Sequence, residues 1–187
     1  SEARAQLERE AADPVEYLRS LQVQLTFSWN PRHLAGRLHE LSNKTNQFNT
    51  AFLRMAEAEV ARRLEDPSAA SIAVSLRDRL SDSGVIAAIF AHLEDDVAVI
   101  DEIVISCRAL GRQLESIMVT EAIRRIVVES GHSPRKVRFS FTEGPRNGPA
   151  RDWLAGYAST EVNGPVEIDW PRSADALAAA VSIQWEN

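Results

Sequence analysis

The chain has 187 residues, of which 44% are hydrophobic and 26% charged, a composition typical of one globular domain with at most a short appendage. Its formal net charge of -6 argues against a nucleic-acid partner, because phosphate binding requires a basic surface. No apolar run is long enough to cross a membrane, and the single cysteine excludes an internal disulfide. We therefore expect a cytoplasmic protein in a reducing environment, on which an acidic partner would need a local basic patch.

The first third of the chain predicts a charged helical extension, a strand and two helices. Residues 1–20 are helical with a break at Asp13-Pro14, and we expect them to precede a domain that covers 21–187. Apolar and polar residues alternate over 22–29, which indicates a half-buried strand. Leucines at helical spacing follow, and a second helix over 56–65 stops before a proline.

The remaining two thirds predict a sheet interrupted by one long helix. Three strands form a meander and end with the strand over 97–106. The amphipathic helix over 112–130 follows, then a strand near 136–142, a short helix and two closing strands. A helix between two strands forces a crossover, so the strands on either side of it should run parallel and part near Cys107. The expected fold class is α/β (α+β), with a mixed sheet and helices on both faces.

The turn over 108–113, between a strand and the long helix, is a candidate anion site. Free backbone N–H groups and the helix dipole give such a turn a positive potential, to which arginines add. Coenzyme A or a phosphopantetheine thioester carries a phosphate that would suit it. The candidate cofactor-binding residues are Arg108, Gly111, Arg112 and Gln113. An ordinary turn with solvated arginines is the alternative.

A thiol and two carboxylates precede this turn. A helix terminus and Arg108 would activate a thiol at Cys107 as a nucleophile or a thioester relay, although a small buried hydrophobe is the alternative. Asp101 and Glu102 should point to opposite faces of the sheet, so at most one of them faces a substrate cleft. A carboxylate in a central strand is costly to bury without a partner, so we expect one of the two to be functional, and we prefer Asp101 as the catalytic residue.

An amide-rich run follows the first helix of the domain and has no evident role in folding. Its amides, ammonium and hydroxyl could bind a polar acyl unit or a pantetheine amide, or could satisfy the backbone of the loop in Asx turns. The candidate substrate-binding residues in the run are Asn43, Thr45, Asn46, Gln47 and Asn49.

Three segments resemble, in the same order, the C-terminal half of the FkbH-like proteins, which build glycerate-derived and methoxymalonyl extender units in polyketide biosynthesis. The segments are the run Thr45-Asn46-Gln47-Phe48-Asn49, the Ser106-Cys107-Arg108 triplet with Asp101 before it, and residues 143–153. The resemblance covers roughly residues 15–160. It implies a GNAT-type acyltransferase fold with a splayed parallel strand pair, an acyl carrier protein as partner, and a missing N-terminal phosphatase-like domain, of which residues 1–20 would be the tail.

The same resemblance adds site residues and exposes departures from the family. Arg54 and Asn147 match the family pattern and become candidates for substrate binding. Gln113 replaces a small residue and could obstruct the close approach of phosphates. Leu154 stands where GNAT enzymes often have a tyrosine as general acid, so Tyr157, one helical step further, is the candidate for that role.

The resemblance predicts an acyltransferase domain that helps move a glycerate-derived acyl group onto an acyl carrier protein. Two alternatives stay open: a non-catalytic module that docks a carrier protein or a partner domain, and an acyl-CoA-dependent N-acetyltransferase, which Gln113 and Leu154 disfavour. Asn46, Asn49 and Asp101 are expected to border one cleft with Cys107 at its floor. No spacing of histidines and cysteine suits a metal ion, so we expect none.

Overall fold

The computed structural model describes residues 2–186, which form seven strands and six α-helices. The strands are β1 (Gln24–Trp29), β2 (Ala69–Asp78), β3 (Ser81–Glu94), β4 (Val97–Ile105), β5 (Lys136–Phe139), β6 (Val166–Asp169) and β7 (Ser182–Glu186). The helices are α1 (Glu2–Glu10), α2 (Pro14–Leu21), α3 (Ala35–Lys44), α4 (Glu57–Glu65), α5 (Glu115–Ser130) and α6 (Gly148–Ala158). No helix within the described range is long and apolar enough to cross a membrane.

All seven strands belong to one mixed sheet with the order β6-β5-β4-β3-β2-β1-β7. Strands β1 to β4 form an antiparallel meander, and β5 pairs with β4 in parallel, as the crossover through α5 requires. The predicted element order and the predicted parallel pair are therefore confirmed. The position of β7, parallel to β1 at the far edge of the sheet, was not predicted.

The parallel strands β4 and β5 part in the middle of β4. Their pairing runs from Val97 opposite Lys136 to Ile100 opposite Phe139, after which β4 continues alone. A β-bulge lies at the same point, because consecutive residues of β3 pair with Ile100 and Glu102 and leave Asp101 as the extra residue. The bulge and the parting together create a gap in the sheet beside the second half of β4.

Two helical layers cover the sheet. Helices α3 and α4 pack on one face around a core that includes Phe90 and Val104. Helices α5 and α6 pack on the other face, where Ile103 and Ile105 join the larger core. The alternation of these β4 side chains between the two cores is the alternation expected of a strand.

Local backbone geometry explains why α5 begins later than predicted. Gly111 has φ 81° and Gln113 has φ 57°, both in the left-handed region, which a right-handed helix cannot contain. The helix therefore starts at Glu115 instead of residue 112. It ends at Gly131, a left-handed C-cap, as predicted.

The N-terminal residues form two helices that join the body of the protein. Asp13 caps α2 through the backbone N–H of Glu16, which explains the break at Asp13-Pro14. Leu18 and Leu21 are fully buried in the larger core. The assignment of these helices to the tail of a phosphatase-like domain stays a prediction.

Candidate functional site

Part of the amide-rich run fills the gap between β4 and β5. We call residues 48–50 the bridging segment. Its backbone pairs with β4, since the Thr50 N–H donates to the Ile103 carbonyl at 3.1 Å and the Ile105 N–H donates to the Phe48 carbonyl at 3.0 Å. On its other side the Thr142 N–H donates to the Thr50 carbonyl at 2.8 Å. The bridging segment thus acts as a short extra strand where the sheet would otherwise be open.

Two asparagines hold the bridging segment in place. The Nδ2 of Asn147 donates to the carbonyls of Asn49 and Thr142, both at 2.9 Å. The Oδ1 of Asn49 accepts from the N–H groups of Ala51 and Phe52, an Asx turn of the kind considered for this run. Both asparagines are buried, so their amides serve the fold in this structure. The expectation that Asn49 borders a cleft is wrong.

The ends of the run are fixed by Arg54 and Asn43. The guanidinium of Arg54 donates to the backbone carbonyls of residues 42, 43 and 45 and to the Oδ1 of Asn46. Asn43 donates to the Met55 carbonyl at 2.8 Å. Three other candidate residues of the run, Thr45, Asn46 and Gln47, line a hollow at the surface.

A groove of about 390 Å³ brings together the two stretches singled out in the sequence. Thr45, Asn46 and Gln47 line one side, and Cys107 and Arg108 line the other. The thiol of Cys107 is exposed, so it is not the buried hydrophobe considered as an alternative. Asp101 does not line the groove, and this part of the expected cleft is wrong.

The groove is basic although the chain as a whole is acidic. Four cationic residues line it, Arg37, Lys44, Arg108 and Arg146, against the single carboxylate of Glu40. Glu40 pairs with Arg37 at 2.8 Å and with Lys44 at 3.2 Å. Arg108 and Arg146 are exposed and form no ion pair within residues 2–186. The groove therefore offers two free guanidinium groups to an anion.

The carboxylates of β4 both contact the α3–α4 layer, contrary to the expectation that they point to opposite faces. Asp101 accepts from the Arg63 guanidinium of α4 at 3.0 Å and lies 2.9 Å from His92 Nδ1. Glu102 accepts from the Ser42 hydroxyl of α3 at 3.1 Å and from the Leu53 N–H at 2.8 Å. The bulge at Asp101 interrupts the alternation of the strand and explains the difference.

Glu102 is a buried acid, while Asp101 is part of an ion-pair cluster. Burial raises the pKa of Glu102, and the hydrogen bonds from Leu53 and Ser42 offset that effect only in part. The Asp101 carboxylate contacts both Arg63 and His92, so its negative charge already has a cationic partner in Arg63. His92 was not singled out in the sequence, because only the pairing of β3 with β4 brings it beside Asp101.

The turn over 108–113 does not present the anion site that was predicted. Arg112 is buried, with its guanidinium 3.2 Å from the Asp78 carboxylate, and it donates to the Arg108 carbonyl at 3.1 Å. Tyr17 and Leu18 of α2 line a hollow of only about 30 Å³ beside Gly111 and Gln113. A pyrophosphate therefore fits poorly at this turn in the observed arrangement, and of its residues only Arg108 lines the groove.

The first turn of α5 carries a carboxylate of its own. Burial raises the pKa of Glu115, and a hydrogen bond from its own backbone N–H opposes that effect. Acidic residues in the first turn complement the helix dipole. This carboxylate would compete with a phosphate for the same N–H groups.

A second, larger hollow lies on the opposite face of the sheet. This cleft has a volume of about 850 Å³ and lies between α5, α6 and residues 171–175. Trp153 and Tyr157 of α6 form its aromatic wall, with ring centroids 4.9 Å apart. The Trp153 Nε1–H donates to the Ser116 hydroxyl at 3.0 Å, and Arg172 lies 4.1 Å above the Tyr157 ring.

Tyr157 is placed to hold a proton. Its hydroxyl lies 2.8 Å from the Thr120 hydroxyl, and its ring is buried. Burial raises the pKa of the phenol, while Thr120 and the charge of Arg172 offset that effect in part. The phenol is therefore protonated at neutral pH, as a general acid must be, and its predicted catalytic role stays a prediction.

Phe48 separates the groove from the cleft. It lines the groove and is only 1% exposed, and its ring lies 5.6 Å from that of Trp153, which lines the cleft. The two hollows therefore meet, back to back, at one aromatic contact in the gap between β4 and β5. A metal is not indicated: residues 2–186 contain no group of three or more His, Cys, Asp or Glu side chains suited to hold one.

Comparison with known proteins gives likeness in structure only, because no family model and no curated protein sequence matches the chain. A mutant of spermidine N-acetyltransferase from Vibrio cholerae is 13% identical, with 78% of this chain and 94% of that chain covered and a TM-score of 0.53. Diaminobutyrate acetyltransferase from Paenibacillus lautus, in complex with L-2,4-diaminobutyric acid and coenzyme A, is 11% identical, with 81% and 97% covered and a TM-score of 0.55. An aminoglycoside acetyltransferase in complex with coenzyme A is 16% identical, with 79% and 95% covered and a TM-score of 0.51.

These similarities define the fold. The chain has the mixed α/β fold of GNAT-type acetyltransferases, and the fold expected from the sequence is confirmed. At 10–16% identity the comparisons carry the fold and not the substrate.

Proposed function

We propose that this protein is an acyltransferase that takes an acyl group from a coenzyme-A-type thioester and transfers it to an amine. The observation that carries the proposal is the pair of hollows on opposite faces of the sheet, which meet at the contact between Phe48 and Trp153. Such an arrangement suits a donor and an acceptor that approach one point from two sides. The similar solved structures with coenzyme A support this choice of donor.

The cleft suits the donor. Its volume of about 850 Å³ lies within the usual range for cofactor sites, and the groove is less than half as large. Trp153 offers an apolar surface for a pantetheine arm or a base, and Arg172 offers a positive charge for phosphates. Ser116, in the first turn of α5, adds a hydroxyl to the wall of the cleft.

The chemistry requires one bond to form, one to break and a proton to move. The amine nitrogen attacks the thioester carbonyl carbon, the carbon–sulfur bond breaks, and the thiolate leaves with the electron pair. In this proposal the protonated phenol of Tyr157 donates a proton to the leaving thiolate. The amine releases its own proton to water in the open groove, because Asp101, the base expected from the sequence, does not line the groove.

Calorimetric titration with acetyl-CoA and mass spectrometry of acetylated amines test the proposal. We expect binding that Trp153→Ala and Arg172→Ala weaken about tenfold each, because each removes a wall of the cleft. Arg19→Ala, on the N-terminal helix α2, is the control. Absence of acetyl-CoA binding, or binding that neither substitution weakens, would contradict the assignment of the cleft.

A carrier-protein thioester is the second candidate donor, and the exposed Cys107 in a basic groove favours it. An acidic carrier protein could dock on the cationic rim, which is the local basic patch that such a partner needs. The Cys107 sulfur would attack the acyl carbon of the loaded carrier as a thiolate and form a new thioester. The bond from that carbon to the phosphopantetheine sulfur would break, and the released thiolate would take up a proton from water. This route corresponds to the role implied by the FkbH-like resemblance, with a glycerate-derived acyl group.

Intact-mass measurement separates this route from the first. Incubation with a glyceryl-loaded carrier protein should add the acyl mass to the wild-type chain and not to Cys107→Ser. If the carrier binds but no mass is exchanged, the non-catalytic docking module is the correct description. Acetylation of amines from acetyl-CoA by Cys107→Ser at the wild-type rate would support the N-acetyltransferase instead.

A further inference from the structure

We infer that the groove selects acceptors that carry a phosphate monoester beside the amine, and this inference rests on the proposed function. Two exposed arginines that form no ion pair within residues 2–186, Arg108 and Arg146, line the groove. The other two cations, Arg37 and Lys44, form ion pairs with Glu40. The inference therefore names a substrate class by its charge. It also identifies Arg108 and Arg146 as specificity-determining residues.

The two free guanidinium groups come from different parts of the fold. Arg108 lies in the turn after β4, and Arg146 lies in the loop that leads into α6. Both are exposed and line the same groove, so an anion between them could accept from both. A guanidinium binds a phosphate through two parallel N–H···O bonds, which a compact ammonium cannot do.

The other two cations stabilise the groove instead of competing for the ligand. Glu40 holds Arg37 and Lys44 on one face of α3, and Arg37 also donates to the Val85 carbonyl at 3.1 Å. These contacts fix one wall of the groove and leave an excess of positive charge. The opposite wall, with Arg108 and Arg146, is free to bind.

The basic character continues beyond the groove. A third hollow, of about 380 Å³, shares Asn46 and Arg146 with the groove and is also lined by Arg54. Arg54 lies 5.0 Å from the ring centroid of Phe52, and four hydrogen bonds fix the position of its guanidinium. An anionic acceptor would meet a continuous positive surface on a protein whose net charge is -6.

This charge pattern excludes polycationic acceptors of the spermidine type. A polyamine in the groove would face two uncompensated guanidinium groups, and like charges placed together weaken binding strongly. The free amine of a phosphorylated acceptor is not penalised in this way, because its own phosphate neutralises the arginines. The acceptor expected here is thus opposite in charge to spermidine, after which one of the similar solved structures is named.

Three small primary amines that differ in charge test the inference: ethanolamine, O-phosphoethanolamine and 1,4-diaminobutane. Acetylation of each by the full chain is measured with acetyl-CoA, and O-phosphoethanolamine binding is measured separately by calorimetry without a donor. We expect kcat/KM to be at least about tenfold higher for O-phosphoethanolamine than for ethanolamine, and lowest for the diamine. Its binding should also weaken with added salt.

Matched variants assign the effect to the two arginines. Arg108→Gln and Arg146→Gln should each weaken O-phosphoethanolamine binding by about tenfold and should change ethanolamine binding by a smaller factor. The double variant Arg108→Gln/Arg146→Gln is compared with the control Arg9→Gln/Arg135→Gln, which removes the same two charges at exposed arginines on α1 and before β5. Control binding that equals wild type supports a local effect, and equal weakening in the control overturns the inference.

The outcomes separate this inference from the proposed function. If 1,4-diaminobutane is the best acceptor, the inference is overturned while the acyltransferase proposal stands. If no amine is acetylated and acetyl-CoA does not bind, the acyltransferase proposal fails. In that case, binding of O-phosphoethanolamine that depends on the two arginines would still support the groove as a phosphate site. If O-phosphoethanolamine also fails to bind, the acyltransferase proposal and the inference are both overturned.

Discussion

The side-chain amide of Asn147 donates a hydrogen bond to the backbone carbonyl of Asn49, a residue 98 positions earlier in the chain, at a distance of 2.9 Å. The same Nδ2 group also donates to the carbonyl of Thr142, in the segment that follows β5, and so links that segment to the bridging segment. The same side chain accepts from the Gly144 N–H through Oδ1. One buried amide thus satisfies three backbone groups from both sides of the gap.

Asn147→Asp should destabilise the protein by about 2–4 kcal/mol, because the new carboxylate keeps the acceptor for Gly144 but turns an oxygen toward two carbonyls. Urea unfolding measures the free energy of unfolding. Asn163→Asp, the same change at an exposed position, should cost less than about 0.5 kcal/mol. Equal stabilities of the two variants would contradict the role assigned to Asn147.

Glu102→Gln should become more stable than wild type as the pH rises. Burial raises the pKa of Glu102 above its ordinary value of 4.5, so the folded protein holds this proton more tightly than the unfolded chain. The stabilising contribution of Glu102 is complete below that ordinary value and is lost as the pH rises through the raised pKa. The glutamine can still accept from Leu53 and donate to Ser42, so its stability lacks this dependence.

Urea unfolding of both proteins between about pH 4 and pH 8 measures the difference in their free energies of unfolding. This difference should change over that range by on the order of 1 kcal/mol for each tenfold gain in the proton affinity of Glu102 on folding. The exposed Glu161→Gln serves as the control and should follow wild type at every pH. A difference between wild type and Glu102→Gln that stays constant with pH would show that burial does not raise the pKa of Glu102.

The sequence predicted those features that depend on local patterns. Alternation and helical periodicity located the strands and helices, and the crossover rule gave the parallel pair. The bulge at Asp101 depends on the register of β3 against β4, so local alternation placed Asp101 and Glu102 on opposite faces incorrectly. The basic groove joins residues of α3, the turn after β4 and the loop before α6, which only the folded chain brings together.

The contacts of the bridging segment also depend on residues that are distant in the sequence. The sequence left two interpretations of the amide-rich run open, a binding loop and a loop that satisfies its own backbone in Asx turns, and the family resemblance favoured binding. In the structure the buried Asn49 and Asn147 support a backbone that pairs with β4, a contact between distant segments. Among the candidate substrate-binding residues of the run, Thr45, Asn46 and Gln47 line the groove, and their substrate-binding role stays a prediction.

Asp78→Asn should destabilise the protein by about 3–5 kcal/mol, because Arg4 and the buried Arg112 share this one carboxylate. Asparagine keeps the oxygen that accepts from the N–H groups of Leu80 and Ser81, but its other group is a donor facing two cations. Burial disfavours the charged form of Asp78, yet the Leu80 N–H and the two arginines outweigh it, and the pKa lies below its ordinary value.

The deficit of this variant should depend on pH in the opposite sense to that of Glu102→Gln. A lowered pKa means that the contribution of Asp78 is present above its ordinary value of 3.8 and is lost as the pH falls through the lowered one. Wild type and Asp78→Asn should therefore converge in acid. Asp82→Asn, an exposed carboxylate that also accepts a backbone N–H, is the control and should cost less than about 1 kcal/mol. A deficit that grows in acid would contradict the assignment.

Phe48→Ala should open a passage between the groove and the cleft. The Phe48 ring is the aromatic contact that separates the two hollows, and its removal should cost about 3–5 kcal/mol as a cavity beside Trp153. At a temperature where the variant is still folded, we expect faster hydrolysis of acetyl-CoA without an acceptor, because water from the groove reaches the thioester. Release of free coenzyme A, followed with a thiol reagent, measures this rate.

Two further variants separate a passage from a general loss of stability. Phe48→Leu keeps most of the apolar volume, so its hydrolysis rate should lie between those of wild type and Phe48→Ala. Leu64→Ala, in the core under α3 and α4, creates a cavity of similar cost away from the gap and should hydrolyse acetyl-CoA at the wild-type rate. If Leu64→Ala and Phe48→Ala release coenzyme A equally fast, destabilisation explains both. In that case Phe48 is not a barrier between the groove and the cleft.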